Sequence, residues 1–467
     1  MNSILRVKLL KLIFLSFIVF IVISCAENSP KLNGDRISER ITFGERSLAN
    51  PEEVRPERER GINSIANRNY DRAFRTLTNY LESTPNDPEA RIFLNNLEVE
   101  KSKKPYHVIA VSMPISSNLN ASLEVLRGVA HAQYDWNFSR SGGEGMLKVA
   151  IVDDDDDNPN NGTKIAEEVA TELGKRQEIL GVVGHYTSDT SLATANIYKD
   201  YQLVSISFST SVELTNYSPY FFRTVPNDQA AAKALAKYAQ TEFNSVKAVV
   251  FYNSDSKYSK SLSQEFISEI GRRNIILREN PDCDLSTWSK NPEGWREKAT
   301  KVLNRAKDSA NVLMLAPSSG YLDRALEILQ VNQGDLPVLG GDEVYSAKTL
   351  EKGRDSALGM IVAIAWDIEV NEAGSDFPER SRKLWGTSSV NWRTITAYDA
   401  VQALGKAIDD QAKPTREGVR EELSSNFSTP GALRAVKFLD SGDYDGDIQL
   451  VEVVKIGSRY DFVPLKR

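Results

Sequence analysis

Between residues 181 and 195 the chain reads GVVGHYTSDTSLATA. An apolar run ends at Gly184, and six of the fifteen residues are Ser, Thr or Tyr, all after that glycine. Thr187 and Ser188 then precede a helix expected to start near Ser191. Hydroxyls beside the first N–H groups of a helix have two uses. They cap the helix by accepting from its unbonded amides. Together with those amides and the positive end of the helix dipole, they also hold a small anion such as a carboxylate. A second hydroxyl-rich stretch, SFSTS at residues 207–211, follows the next apolar run. Spacing alone leaves both uses open for these hydroxyls.

Such turns need strands and helices to carry them. From Tyr106 onward the chain alternates between the two. YHVIAVSMPI, MLKVAIVDDDDD, ILGVVGHY, LVSISFS, VKAVVFYNSD, NVLMLAPSS and LPVLGGDEV read as strands. Apolar-striped segments such as NASLEVLRGVAHAQYDWN and GTKIAEEVATELGK read as helices between them. Alternation of this kind predicts a parallel sheet covered on both faces. The pattern is too long for one open sheet, so two α/β lobes are expected. In such sheets ligands collect beyond the carboxyl ends of the strands, near the switch point, and the GHYTS turn falls there.

Other regions differ. Arg6, Lys8 and Lys11 precede an apolar run from Leu12 to Ile23, and VISC ends at Cys25. The run is short for a membrane span, which needs roughly 18 residues or more, and it suits a secretory signal. Cys25 stands where a bacterial lipoprotein signal places its lipidated residue, and a plain signal peptide is the alternative. Residues 26–56 are polar, with Pro30, Pro51 and Pro56, and read as a flexible tether. Residues 57–101 carry apolar positions at helical spacing. They resemble one tetratricopeptide unit, with a generic helical hairpin equally open.

The 467 residues carry a net charge of −7, which argues against nucleic acid as a partner. Three His and two Cys leave little for a metal cluster or disulfide framework, and no cofactor is expected. Cys283 sits among acids, which disfavours a thiolate. The run Asp153–Asn158 reads as a solvated strand end and turn in preference to a calcium site, and Ser441–Glu452 as a hairpin turn with only partial calcium-loop spacing. No nucleophile motif or phosphate loop is present, so nothing supports enzymatic activity.

YHVIAVSMPI, the GHYTS turn and SFSTSVELTNYSPYFFRTVPND (Ser207–Asp228) resemble the type I periplasmic solute-binding proteins of leucine, isoleucine and valine ABC transporters. The resemblance runs from about Tyr106 to the C-terminus. It implies two Rossmann-like lobes joined by a three-strand hinge, with lobe one at 105–225 and 358–430 and lobe two at 226–357 and 431–467. It implies that Ser188, Ser209 and Thr210 hold a ligand carboxylate from lobe one. Lobe two would add Tyr258 and Tyr321, and Asp342 would meet an ammonium group, with Glu343 as the neighbour that could replace it. The proline usual before the second hydroxyl loop is missing. The loop MPISSNLN is not Gly-rich, and an extra stretch, NPDCDLSTWSKNPEGWREK, follows lobe two's first helix. These departures leave the identity of the solute open. The implied protein is a lipid-anchored receptor outside the cytoplasm that delivers an amino acid-like solute to an ABC permease. A sensor for a signalling membrane protein and a non-enzymatic activator of a peptidoglycan synthase are the other readings.

Overall fold

The computed structural model describes residues 37–49, 55–139, 145–155, 158, 162–370, 374–386 and 390–465. The expected signal segment, Cys25 and most of the expected tether lie outside the described residues. Two compact units divide at Arg40 and Ile41. The first contributes one short 3-10 helix, Ile37–Arg40, and all further elements belong to the second. No helix among the described residues is long and apolar enough to cross a membrane.

Six strands make the first sheet: β1 (Ile41–Thr42), β2 (Tyr106–Met113), β3 (Met146–Asp153), β4 (Ile179–Val183), β5 (Val204–Ser207) and β6 (Phe221–Arg223). Their spatial order is β1-β3-β2-β4-β5-β6. Every pair is parallel except β1 with β3. The central strands are continuous apolar runs, as burial on both faces requires.

Strand β1 corrects the expected tether. Ile41 and Thr42 pair with Val152 and Ile151. Leu48 and Ala49 are buried, and their amides donate to Glu89 at 2.7 and 3.1 Å. Composition failed here because the groups that order this stretch, the β3 backbone and the Glu89 carboxylate, lie far along the chain. Arg58 is buried, donates to Asp87 at 2.6 Å and also pairs with Glu89, while Tyr80 donates to Asp87 at 2.9 Å.

That network lies within three helices, α1 (Pro56–Ala66), α2 (Tyr70–Ser83) and α3 (Pro88–Ser102). Helix α3 fastens the group to the sheet. Asn96 donates to the Val149 carbonyl at 2.8 Å and accepts from the Val149 amide at 3.0 Å, so its side chain pairs with β3 as a peptide group would. Asn95 donates to the Ala130 carbonyl in α4 (Leu119–Tyr134) at 3.1 Å. Leu77, Phe93 and Leu97 share one apolar core with the first lobe.

Helices α5 (Gly162–Lys175) and α6 (Ser188–Asp200) complete this part of the first lobe. After β6 the chain passes to the second lobe through Thr224–Asn227. There it forms α7 (Asp228–Glu242), β7 (Ala248–Tyr252), α8 (Lys257–Ile270), α9 (Trp295–Ala306), β8 (Val312–Ala316), α10 (Leu322–Asn332), β9 (Val338–Gly340), α11 (Ala347–Gly353) and β10 (Ile361–Ile364). It then returns to the first lobe for α12 (Phe377–Trp385), α13 (Trp392–Asp409), α14 (Arg416–Leu423) and the short pair β11 (Thr429–Pro430) and β12 (Ala435–Val436). Strands β13 (Gln449–Ile456) and β14 (Arg459–Pro464) close the second sheet, whose order is β14-β13-β10-β9-β8-β7.

Strand pairing moves two of the expected lobe boundaries. Residues 361–364, expected in lobe one, pair with β9 and β13 in the second sheet. Residues from Gly431 to Tyr444, expected in lobe two, stay with the first. Leu433 and Val436 are buried in its core, and Asp443 meets the buried Arg223 guanidinium at 2.7 Å. A turn signal at Pro430–Gly431 marks a bend, and the bend is not the crossing.

Candidate functional site

Gly184 makes the turn after β4 possible. Its φ is +129°, and a Cβ there would stand 2.3 Å from the Ser112 carbonyl oxygen at the end of β2. His185 is buried beneath the turn, with Nδ1 2.6 Å from Asp154 Oδ2 and Nε2 2.9 Å from the Tyr198 hydroxyl. The acidic run is accordingly not solvated over its described part. Asp153, Asp154 and Asp155 are buried, and their carboxylates accept from Ser116 and Ser112. Asp156 and Asp157 lie outside the described residues.

Thr187 caps α6, accepting from the Thr190 amide at 3.3 Å. Ser188 is then the first helical residue, with its amide among those that have no partner within the helix. Its buried Oγ accepts from the Ser211 amide at 3.3 Å, which leaves the hydroxyl proton to donate. Ser209 is engaged differently. Its Oγ lies 2.7 Å from Ser191 Oγ and 2.9 Å from the Thr187 carbonyl oxygen, and its amide donates to Ser207 Oγ at 3.0 Å. Both groups expected to meet a ligand are therefore turned to the protein. Ser207 completes the cluster by donating to the His185 carbonyl at 2.8 Å. The missing proline is explained by the same bonds, since Ser207 ties the two loops together through its side chain.

These loops face the second lobe across a cleft of about 600 Å³. Ser188, Ser209, Thr210, Tyr258, Tyr321 and Asp342 all line it. Tyr258, at the start of α8, donates to Asp342 Oδ1 at 2.6 Å. A Cβ at Gly341 would stand 2.4 Å from that Tyr258 oxygen, so a glycine lets the tyrosine reach the acid. Burial raises the Asp342 carboxyl above its ordinary range, against the Tyr258 hydrogen bond and the Arg393 charge. Tyr321 donates to Asp255, and burial with that bond pushes its hydroxyl up to about 12.

Several residues of the cleft were not foreseen. Asp189 accepts from the Lys257 amide of α8 at 3.0 Å, which joins the two lobes. Val212 donates across to Ser261 Oγ at 3.0 Å, and Lys257 pairs with Glu213 at 2.7 Å. Glu343 accepts from the Tyr186 hydroxyl at 3.2 Å and lies 3.9 Å from Arg393. Asp228 sits where the lobes join, with its amide on the Thr210 carbonyl at 2.8 Å. Among the described residues its Oδ2 has no hydrogen-bond partner, and burial pushes the carboxyl up to about 7 against the hydroxyls of Ser261 and Thr210. Lys290 and Trp295 enter the cleft from the extra stretch after α8, and Trp392 from α13. The extra stretch was visible in the sequence, but its destination was not. Arg393 and Trp392 carry no local signal at all.

The receptor family ligand binding region matches residues 129–453 of this chain. Among solved structures, the chain is similar to an ABC transporter substrate-binding protein from Desulfitobacterium hafniense in complex with Leu. The identity is 20%, the TM-score 0.61, and the match covers 77% of this chain and 100% of that one. The leucine-binding protein LivK from Thermotoga maritima matches with 18% identity and a TM-score of 0.62, over 76% and 97% of the two chains. A solute-binding protein of an ABC transporter from R. palustris, in complex with 4-hydroxybenzoate, matches with 15% identity and a TM-score of 0.63, over 77% and 96%.

Proposed function

Because this chain belongs to the receptor family ligand binding region and has the fold of type I periplasmic binding proteins, we propose that it is a receptor that takes up a small solute between its two lobes and passes it to an ABC transporter. The solute is amino acid-like. Its carboxylate meets the Ser188 hydroxyl and the first amides of α6, with Thr210 beside them, and its ammonium group meets Asp342 or Glu343 from the second lobe. The observation that carries this reading is Ser188. It is a buried hydroxyl at a helix N-terminus, on the cleft, with its proton uncommitted. Ser209 supports the turn and does not itself hold the solute. The contacts of Asp189, Val212 and Lys257 across the cleft are those that a closed form has and an open form lacks. Cys25 would carry acyl chains that tether the receptor outside the cytoplasm.

A thermal-shift screen with the common amino acids tests the reading. Stabilisation follows the logarithm of ligand excess over Kd, so millimolar solute on a micromolar site adds about 4 kcal/mol. The absence of any shift would remove amino acids as the solute class. A sensor reading is favoured by one observation, the shared core of α1–α3 and the first lobe. A partner seated on those helices would touch a body that the solute also touches. Recovery of a signalling membrane protein instead of a permease in a pull-down would favour it.

A further inference from the structure

We propose that the solute carries a second anionic group, received at the second-lobe side of the cleft by Arg324 and Lys290, so that it is an acidic amino acid or short acidic peptide and not an aliphatic one. The inference rests on the receptor reading above and specifies its ligand.

The lining itself argues against an aliphatic side chain. Among the described residues no Leu, Ile, Val or Met borders the cleft, whose large apolar side chains are aromatic. Its charges are unevenly matched. Among the described residues, each of the five carboxylates on the lining already accepts a hydrogen bond or pairs with a lysine of the protein. Asp189 accepts from the Lys257 amide, Asp342 from Tyr258, and Glu343 from Tyr186. Asp255 accepts from Tyr321 and from Asn253 Nδ2 at 2.8 Å, and Asp323 pairs with Lys348 and Lys352 at 2.8 and 2.9 Å. The two cations on the lining differ. Among the described residues, neither Lys290 nor Arg324 has a carboxylate partner. Arg324 is 9% exposed, and its Nε is buried without a hydrogen-bond partner.

The pair is also held in place. The Arg324 guanidinium lies over the Tyr321 ring at 4.4 Å and the Trp295 ring at 5.2 Å. The Ser289 carbonyl accepts from Arg324 at 3.2 Å and from Trp295 Nε1 at 2.8 Å. That shared acceptor fixes the extra stretch against the start of α10 and sets Lys290, the next residue, beside the cleft. A guanidinium held beside two rings and a carbonyl is preorganised for a carboxylate. A buried cation with no counter-charge is costly until an anion arrives.

Calorimetric titration of the full chain with acid–amide pairs tests this: L-glutamate against L-glutamine, and Ala-Glu against Ala-Gln, with L-leucine as the aliphatic probe. The acid of at least one pair is expected to bind ten-fold or more tighter than its amide and than leucine. Lys290→Gln should lower that acid–amide ratio several-fold. Arg324→Gln should lower it further. If the Arg324 variant does not fold, Lys290→Glu, on an exposed side chain, decides the matter by reversing the preference. Leucine or an amide binding as tightly as the acids, or a ratio indifferent to Lys290, would overturn the inference and leave the receptor reading intact. Binding of none of the five probes would overturn both.

Discussion

The first-lobe wall of the cleft is bound to itself before it can bind anything else. Ser191, Ser207 and Ser209 share hydroxyl bonds of 2.7 to 3.0 Å and bond the carbonyls of the turn after β4, so the two hydroxyl loops of this wall hold each other. The second-lobe wall is gathered from the start of α8, the extra stretch before α9, the start of α10 and the turn after β9. It carries Lys290, Arg324 and four of the five acids on the described lining, where the first carries one acid, Asp189, beside its hydroxyls. The difference teaches a division of labour. A mutually bonded hydroxyl layer fixes one anchor, Ser188, while the charged wall holds groups whose matching depends on what enters.

The largest expected effect is at the junction of the two walls. Asp228 titrates at about 7 in the folded chain, and an unfolded Asp at about 3.9. Between those values the folded state holds a proton that the unfolded chain has released, so stability falls as pH rises through the window, by at most about 4 kcal/mol. Asp228→Asn should remove that part of the slope in urea titrations at pH 5 and pH 8. A residual slope should remain from Asp399, whose carboxyl burial also pushes up to about 7. An unchanged slope would mean that Asp228 is not held away from water between the walls.

A smaller effect separates the serines of the first wall. Ser209→Ala removes bonds to Ser191 and to the Thr187 carbonyl, so it should cost about 1–2 kcal/mol of stability in denaturant titrations. Solute affinity should stay within about three-fold. A large affinity loss without a stability loss would return Ser209 to direct contact with the solute. The smallest effect concerns the bond between the walls. Asp189→Ala removes the acceptor of the Lys257 amide and should weaken binding by about three- to five-fold, because the closed form loses one contact. Unchanged binding in calorimetry would mean that this bond does not contribute to closure.

What could be read from sequence follows the same division. The turn that presents Ser188 is local: an apolar strand, a glycine and a run of hydroxyls before a helix are enough to write it. Tyr258 and Asp342 were reached through the resemblance, and the structure brings them to the cleft and to each other. The inward turn of Ser209 was not legible, because it depends on partners in α6 and on Ser207. Lys290 and Trp295 were noticed only as an unusual stretch, since the packing that carries them to the cleft runs through the Ser289 carbonyl and Arg324. The lobe boundaries failed for a related reason. A bend at Pro430–Gly431 is a local signal, but the true crossing is decided by Asp443 and Arg223, which lie far apart in the chain.

The role of Ser188 is decided by titrating one bound amino acid or peptide into the native chain and into Ser188→Ala, with folding of both verified by thermal denaturation. Affinity should fall by about ten- to a hundred-fold in the variant, the effect of removing one charge-assisted hydrogen bond. Equal affinity for the two proteins would contradict it.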